Sequence, residues 1–306
     1  MNTPSRVLIS GASGFIGTAL VRVFTVNQIS VNRLVRKPKP DCPQEICWSP
    51  SSSPAIATPS ELENYDAVIH LSGANVAHRW TPAYKKKIVE SRVRTTAALV
   101  RLLAGLRNPP KVFLCASAVG IYGNRDDEIL TEATAPGTGF LAETCIAWEA
   151  AAQPAKNAGI RTAQLRFGVV LSPKDGALAK MLPLFRSGLG GRLSSGRQWM
   201  SWITLPDLLR AVLYLVTASE VSGPVNIVAP TPVTNAEFAR TLARALHRPA
   251  ILPVPAFALR AIFGEMADET LLSSIRVIPE KLTQAGFRFQ HPDLAPALES
   301  ILAKSI

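Results

Sequence analysis

The sequence predicts an α/β protein: a Rossmann-type doubly wound parallel sheet with a smaller C-terminal substrate lobe. Three observations carry that reading. Short apolar runs rich in β-branched residues alternate with helical patterns through the first half, as βαβ units require. The stretch RVLISGASGFIGTALVRVF sets three glycines, each three residues apart, between the first run and the first helical pattern. Beyond Arg166 the alternation gives way to helices with isolated strand-like runs.

The first strand is expected at Arg6–Ser10, and further strands at residues 29–35, 67–71, 111–115 and 162–167. Helical patterns fall between several of them, at 16–26, 81–106 and 141–156, so the connections read as right-handed crossovers. Residues 37–63 break the rhythm with RKPKPDCPQEICWSPSSSPAIATPS just inside and around them, leaving one short strand at 45–48. Because sheet patterns resume directly afterwards, this reads as a shortened crossover and not as a domain linker. Helices are then expected at 177–185 and 206–217, a strand at 223–230, and an amphipathic helix at 235–246 capped by Thr234 or Asn235. Residues 256–290 read as a helical lobe ending in a short strand. The expected division is a nucleotide-binding domain over 1–170, with later strands near 200–230 returning to it, and a lobe over most of 171–306.

A chain of 306 residues buries a substantial core. No apolar run approaches the ~18 residues that span a membrane, and the first residues run into a strand pattern without a signal-peptide h-region. The expectation is a cytoplasmic protein that does not engage membranes. Cys42, Cys47, Cys115 and Cys145 form no CxxC pair and no cluster with histidine, so neither a disulfide framework nor a metal site is expected. The net charge of +11 admits a solvated basic surface or a polyanionic small ligand. Nucleic acid is not expected as a partner: the one dense basic run, Lys85-Lys86-Lys87, lacks interleaved aromatics for base stacking.

The glycine turn follows a strand and opens a helix, which is the context dinucleotide binding requires. Gly11 permits the tight turn, Gly14 lets backbone approach a pyrophosphate at the helix N-terminus, and Gly17 lets the helix pack closely on the strand. The second strand then selects the cofactor. An NAD site places an acid there to hold the ribose 2′-hydroxyl; here VNRLVRKP ends in Arg36-Lys37. A guanidinium grips a 2′-phosphate that a carboxylate would repel, so NADP(H) is the expected cofactor, the alternative being a solvated strand end.

Further stretches carry a resemblance. DAVIHLSGANV, SRVRTT and ASAVGIYG, taken with the glycine turn, resemble the extended short-chain dehydrogenase/reductase superfamily. FLAETCIAWEAAA, LRFGVVLSPKDGALAKMLPLFRSGLGG, SGRQWMSWI and GPVNIVAPTPVTNAEFA look like its atypical, epimerase-like YfcH-type members, a group also labelled a cell-division inhibitor family. The similarity extends over essentially the whole chain. It implies NADP held by the glycine turn (Gly11, Ser13, Gly14, Phe15, Ile16, Gly17), by Val35 and Arg36, by Leu71 and Ser72 at a strand end, by Lys87 and Arg92 on the following helix, and by Val170. For Lys87 a solvated surface position is the alternative.

The resemblance also implies a catalytic Ser with a Tyr-x-x-x-Lys pair, the phenol moving a proton and the lysine lowering its pKa. Ser117 matches the serine. The helix that should carry the pair has Phe140 or Leu141 at the tyrosine position and Thr144 or Cys145 at the lysine position. Tyr122 belongs to a segment that is structural in the superfamily, and Cys145 reads as a buried small hydrophobe. The glycine-rich loop over residues 188–202 is expected over the cofactor mouth, where Arg192, Arg197, Gln198, Trp199 and Trp202 either grip an anionic or planar ligand or pack the lobe. The function expected is that of an NADP(H)-binding, epimerase-like oxidoreductase acting on a small molecule. The alternative is a non-catalytic NADP(H)-binding regulatory or redox-sensing protein linked to cell division.

Overall fold

The computed structural model describes residues 4–50, 52, 55, 56 and 58–303. Its centre is a seven-stranded parallel sheet built from β1 (Arg6–Ser10), β2 (Ser30–Val35), β3 (Glu45–Cys47), β4 (Ala67–His70), β5 (Val112–Ala118), β7 (Arg161–Phe167) and β11 (Gly223–Ile227). The order is β11-β7-β5-β4-β1-β2-β3, so successive strands add outward in opposite directions from the β1/β4 boundary. That boundary is the switch point at whose C-terminal edge open α/β sheets bind ligands. The register is continuous across it, with Ser10 paired to Leu34 on one side and to His70 on the other. Val7, Leu8 and Ile9 are all fully buried, as expected for a strand covered on both faces.

Each face carries two main helices. On one side α1 (Phe15–Val26) turns Gly17, Leu20 and Phe24 inward, and α5 (Leu205–Thr217) adds Leu208, Ala211, Val212 and Leu215 to the same core. On the other, α2 (Pro82–Ala104) and α3 (Phe140–Asn157) pack against each other, and the Trp148 indole donates to Thr96 Oγ1 at 2.9 Å. Thr81 caps α2 by accepting from the Tyr84 N–H, with Pro82 at the first helical position. The described residues of the proline-rich crossover form no α-helix: β3 pairs with β2 at the sheet edge, and a short 3₁₀ turn spans Pro59–Leu62. Residues 51, 53, 54 and 57 of that crossover lie outside the described residues.

The rest of the chain adds paired short strands and helices: β6 (Ile129–Leu130), β8 (Val169–Leu171), α4 (Gly176–Arg186), β9 (Trp199–Met200), β10 (Trp202–Thr204), β12 (Val233–Thr234), α6 (Asn235–Ala245), α7 (Ala256–Phe263), β13 (Arg276–Val277), α8 (Glu280–Gln284) and α9 (Leu294–Ala303). Helices α4, α6 and α9 enclose a second core around the fully buried Trp202, whose indole donates to the Thr231 carbonyl. Thr234 is the cap of α6, accepting from the Glu237 N–H. The short strand expected at the end of the segment 256–290 does not form. Phe287 and Phe289 instead stack edge to face at 4.9 Å beside Tyr214, and the lobe's strand is β13, paired with β6. No helix among the described residues is long and apolar enough to cross a membrane.

The bottom of the sheet is tied by Asp66. Its Oδ2 accepts from the Ser5 N–H (2.7 Å), the Ser5 hydroxyl (2.9 Å) and the Arg6 N–H (3.1 Å), while Oδ1 accepts from Lys111 (2.7 Å). Partial burial alone would raise its pKa, but the bonds from Lys111, Ser5 and Arg6 outweigh that and hold the carboxyl well below the usual carboxylate range. A depressed folded-state pKa contributes stability above the unfolded value of about 4 and loses it as pH falls through the folded value. Asp66→Asn should therefore lower urea stability by about 1 kcal/mol at pH 7. The gap to the wild type should narrow on acidification below about pH 4.

Candidate active site

At the switch point the β1–α1 turn lies directly on the end of β4. Gly11 has φ +71°, and a Cβ there would stand 2.8 Å from the Leu71 carbonyl carbon and 2.9 Å from the Ser72 nitrogen. A Cβ on Gly17 would stand 2.2 Å from the Gly11 carbonyl oxygen, so the helix rests on its own turn. Gly14 is the N-cap of α1; no side chain caps the helix and its first turn has no acid. The result is a cradle of backbone N–H groups at a positive helix end, bounded by Leu71 and Ser72, which is what a pyrophosphate requires. Ser13 and Gly14 are exposed, and Phe15 and Ile16 are half-buried at its rim.

The other expected cofactor residues distribute around it. Val35 ends β2, and the exposed Arg36 follows it, its carbonyl facing the Cys47 thiol at 3.8 Å. Val170 lies in β8, and the backbone at Gly176 joins it to the Phe15 ring: a Cβ there would meet Phe15 Cε1 at 3.1 Å and the Val170 carbonyl at 3.4 Å. Arg92 reaches from α2 to the loop after β4, donating to the Ala74 carbonyl (3.0 Å) and the Ile88 carbonyl (3.2 Å), with its guanidinium over the Trp148 ring. Desolvation lowers its pKa, as expected for a cation packed against backbone. Lys87 is exposed on α2, and its ammonium lies 5.6 Å above the Tyr84 ring.

Ser117 stands near the C-terminal end of β5. Its hydroxyl donates to Glu149 Oε1 on α3 at 2.7 Å. Glu149 in turn receives two parallel bonds from Arg166 on β7, Nε to Oε1 and Nη2 to Oε2, both 2.9 Å. The remaining Arg166 nitrogen, Nη1, donates to the Tyr122 hydroxyl (2.8 Å), which donates to Asn226 on β11 (2.7 Å). Burial works against the guanidinium charge, but Glu149 more than offsets it and the Arg166 pKa is raised. Tyr122 thus belongs to a structural network, and its own pKa is raised by burial.

The α3 positions that would carry a proton-transfer pair hold no suitable group. Phe140 packs edge to face on Trp80 at 5.0 Å and lies 4.3 Å beneath the Lys85 ammonium, while Leu141 is half-buried beside it. Thr144 donates back to the Phe140 carbonyl. Burial pushes the Cys145 thiol up to about 11, which keeps it protonated. The α3 N-terminus is closed by Glu269 from the lobe, which accepts from the N–H groups of Phe140 (3.3 Å) and Leu141 (3.1 Å). In the loop 188–202, Trp202 belongs to the lobe core and presents nothing to a ligand. Gln198 donates to the Leu193 and Leu271 carbonyls, and Trp199 to Asp127.

This geometry has known counterparts. The model of the NAD dependent epimerase/dehydratase family matches residues 7–228. The chain belongs to that family. A domain of unknown function, DUF1731, matches residues 254–301. Epimerase family protein Mb2239 of Mycobacterium bovis is 45% identical over 293 residues, covering 95% of this chain and 96% of the relative. Epimerase family protein SDR39U1 of Bos taurus is 36% identical, over 97% of this chain and all of the relative. The crystal structure of human epimerase family protein SDR39U1 with NADPH superimposes with a TM-score of 0.89 at 34% identity, covering 98% of this chain and 100% of that one. Within the family, this chain is an extended, epimerase-like short-chain dehydrogenase/reductase.

Sequence reasoning passed over two parts of the site. Glu149 and Arg166 were legible in principle, because a cation inside the apolar run TAQLRFGVV needs a buried partner. The Ser10–His70 pair behind the turn, Oγ to Nδ1 at 2.5 Å, left no such signal; burial pushes that imidazole down to about 3, so it is neutral. The glycine cradle makes a direct prediction. Gly17→Ala should lose about 2 kcal/mol or more in urea unfolding, because the methyl must displace backbone.

Proposed function

We propose that this chain binds NADP(H) and acts as an epimerase-like oxidoreductase on a small-molecule substrate in the cytoplasm. The observation that carries the reading is the bare N-terminus of α1, held open over backbone by Gly11 and Gly17 where any Cβ would intrude. The human relative solved with NADPH supports it at 34% identity. Gly11, Ser13, Gly14, Phe15, Ile16 and Gly17 would hold the pyrophosphate and its flanks; Arg36, beside Val35, would pair with the 2′-phosphate. Leu71, Ser72 and Val170 would bound the remainder, and Arg92 would stiffen the loop after β4, with Lys87 supplying positive potential from α2. Bound NADP(H) would supply hydride exchange, and Ser117 would face the substrate.

A second reading follows from α3. Phe140, Leu141 and Thr144 cannot exchange protons near neutral pH, and Cys145 stays protonated, so the chain would bind NADP(H) as a regulatory or redox-sensing ligand without turnover. Fluorescence titration should show NADPH binding at least about tenfold tighter than NADH, the value of one charge-assisted phosphate contact. Arg36→Ala should bring the two within about threefold; an unchanged preference sinks the 2′-phosphate role. Turnover on a panel of carbonyl compounds and nucleotide sugars supports the enzyme, and tight NADPH binding without turnover supports the sensor.

A further inference from the structure

Cations and exposed apolar side chains gather on one face of the lobe. Residues 176–206 hold Lys180, Arg186, Arg192 and Arg197 and no acid; residues 238–264 hold Arg240, Arg244, Arg248 and Arg260 and no acid. The two stretches run side by side. The Ser194 N–H donates to the Val254 carbonyl (2.8 Å) and the Val254 N–H to the Arg192 carbonyl (2.9 Å), while a Cβ on Gly188 would meet the Pro249 ring at 3.6 Å. Of the nine large apolar side chains exposed among the described residues, six lie in these stretches, so the exposure is concentrated and not scattered singly. Four of the six line the seam: Leu184 and Leu189, whose backbones are hydrogen-bonded to each other, and Ile251 and Leu252 across from them. Arg192 and Arg240 share a cleft with Ile251 and Pro253. Arg244 follows Arg240 one turn on along the outer side of α6, and Arg186 and Arg248 precede the two sides of the Gly188–Pro249 contact. These five arginines are exposed, and among the described residues none of them forms an ion pair; Glu237 is the one acid on α6.

We propose that this face docks on an anionic lipid surface, with the four aliphatic side chains entering the headgroup boundary and the arginines meeting lipid phosphates. Charge complementarity selects the occupant. A second copy of the chain would bring arginines against arginines, and like charges facing each other oppose association. The cleft beside Ile251 holds about 220 Å³, less than the ~300–1,000 Å³ that seats a small ligand, and the apolar side chains stand out into solvent without forming a groove for a peptide. Single-stranded nucleic acid needs aromatic faces to stack on, and these four side chains are aliphatic. An anionic bilayer meets both halves of the surface: apolar tips bury at its boundary, and arginine stems lie along it with their charged heads at the phosphates. Resting there needs no spanning helix.

Sedimentation of the full chain with vesicles checks this directly. Vesicles of phosphatidylcholine with about 30% phosphatidylserine should bind it at least about tenfold tighter than phosphatidylcholine alone, and less tightly as salt rises. Arg240→Ala/Arg244→Ala should weaken that binding at least about tenfold. Ile251→Ser/Leu252→Ser should weaken it about fivefold. Both variants should keep the wild-type urea midpoint, because the replaced side chains face water. Arg101→Ala/Lys156→Ala removes the same charge from α2 and α3 and should change binding by less than about twofold, since salt screens distant charges. Absence of binding to the phosphatidylserine vesicles, equal binding to both compositions, or undiminished binding by either variant of the face overturns the proposal. So does an equal loss in the α2 and α3 control, which would reduce the effect to net charge. Capture of a poly-glutamate peptide by the same arginines without vesicle binding also overturns it, and would give the face to an acidic protein.

Discussion

The structure depends on one contact between backbones: the β1–α1 turn lying on the end of β4. Gly11 meets Leu71 and Ser72, and Gly17 meets Gly11, at separations no side chain tolerates. That contact brings the first helix down over the sheet with its N-terminus at the switch point. It also fixes where β4 ends and its loop begins, and therefore where Arg92 must reach. Positive potential, strand order and access converge at one place because two pieces of main chain touch there.

A second constraint joins what the first leaves apart. The Glu149–Arg166 pair links α3 to β7, Ser117 ties it to β5, and Tyr122 extends it to Asn226 on β11. Asn226 carries the network on, donating through Nδ2 to the Ile278 carbonyl in the lobe, while its N–H donates to Glu132. Burying ions is unfavourable unless each hydrogen-bonding position is filled, and here both carboxylate oxygens and all three guanidinium nitrogens have partners. The network specifies one arrangement of three strands and a helix at the heart of the site.

Most of the sheet was legible in the sequence because buried parallel strands read as continuous apolar runs, and the glycine turn because its spacing has a steric cause. β1 matched its expected span, and β2, β7, α1 and α5 lay within a residue or two of theirs. The terminal lobe was less legible. Strand β13 has two residues and owes its existence to pairing with β6, and the aromatic pair Phe287–Phe289 imitates a strand while serving as packing. Helix α9 completes a core whose other walls lie more than forty residues earlier, so no local pattern announced it. At the site, Ser117 and the empty tyrosine and lysine positions could be read from motifs. The partner of the serine could not, since it is a carboxylate 32 residues away.

The contact of Glu269 with the start of α3 has a consequence for how the molecule is made. Helix α3 packs on the sheet, yet its first two N–H groups, those of Phe140 and Leu141, donate to a residue late in the chain, beside Gly139 at φ +104°. A chain emerging N-terminus first completes every strand of the sheet before that carboxylate exists. The contact thus ties the region matched by DUF1731, through Glu269, to the region matched by the epimerase family, through Phe140 and Leu141.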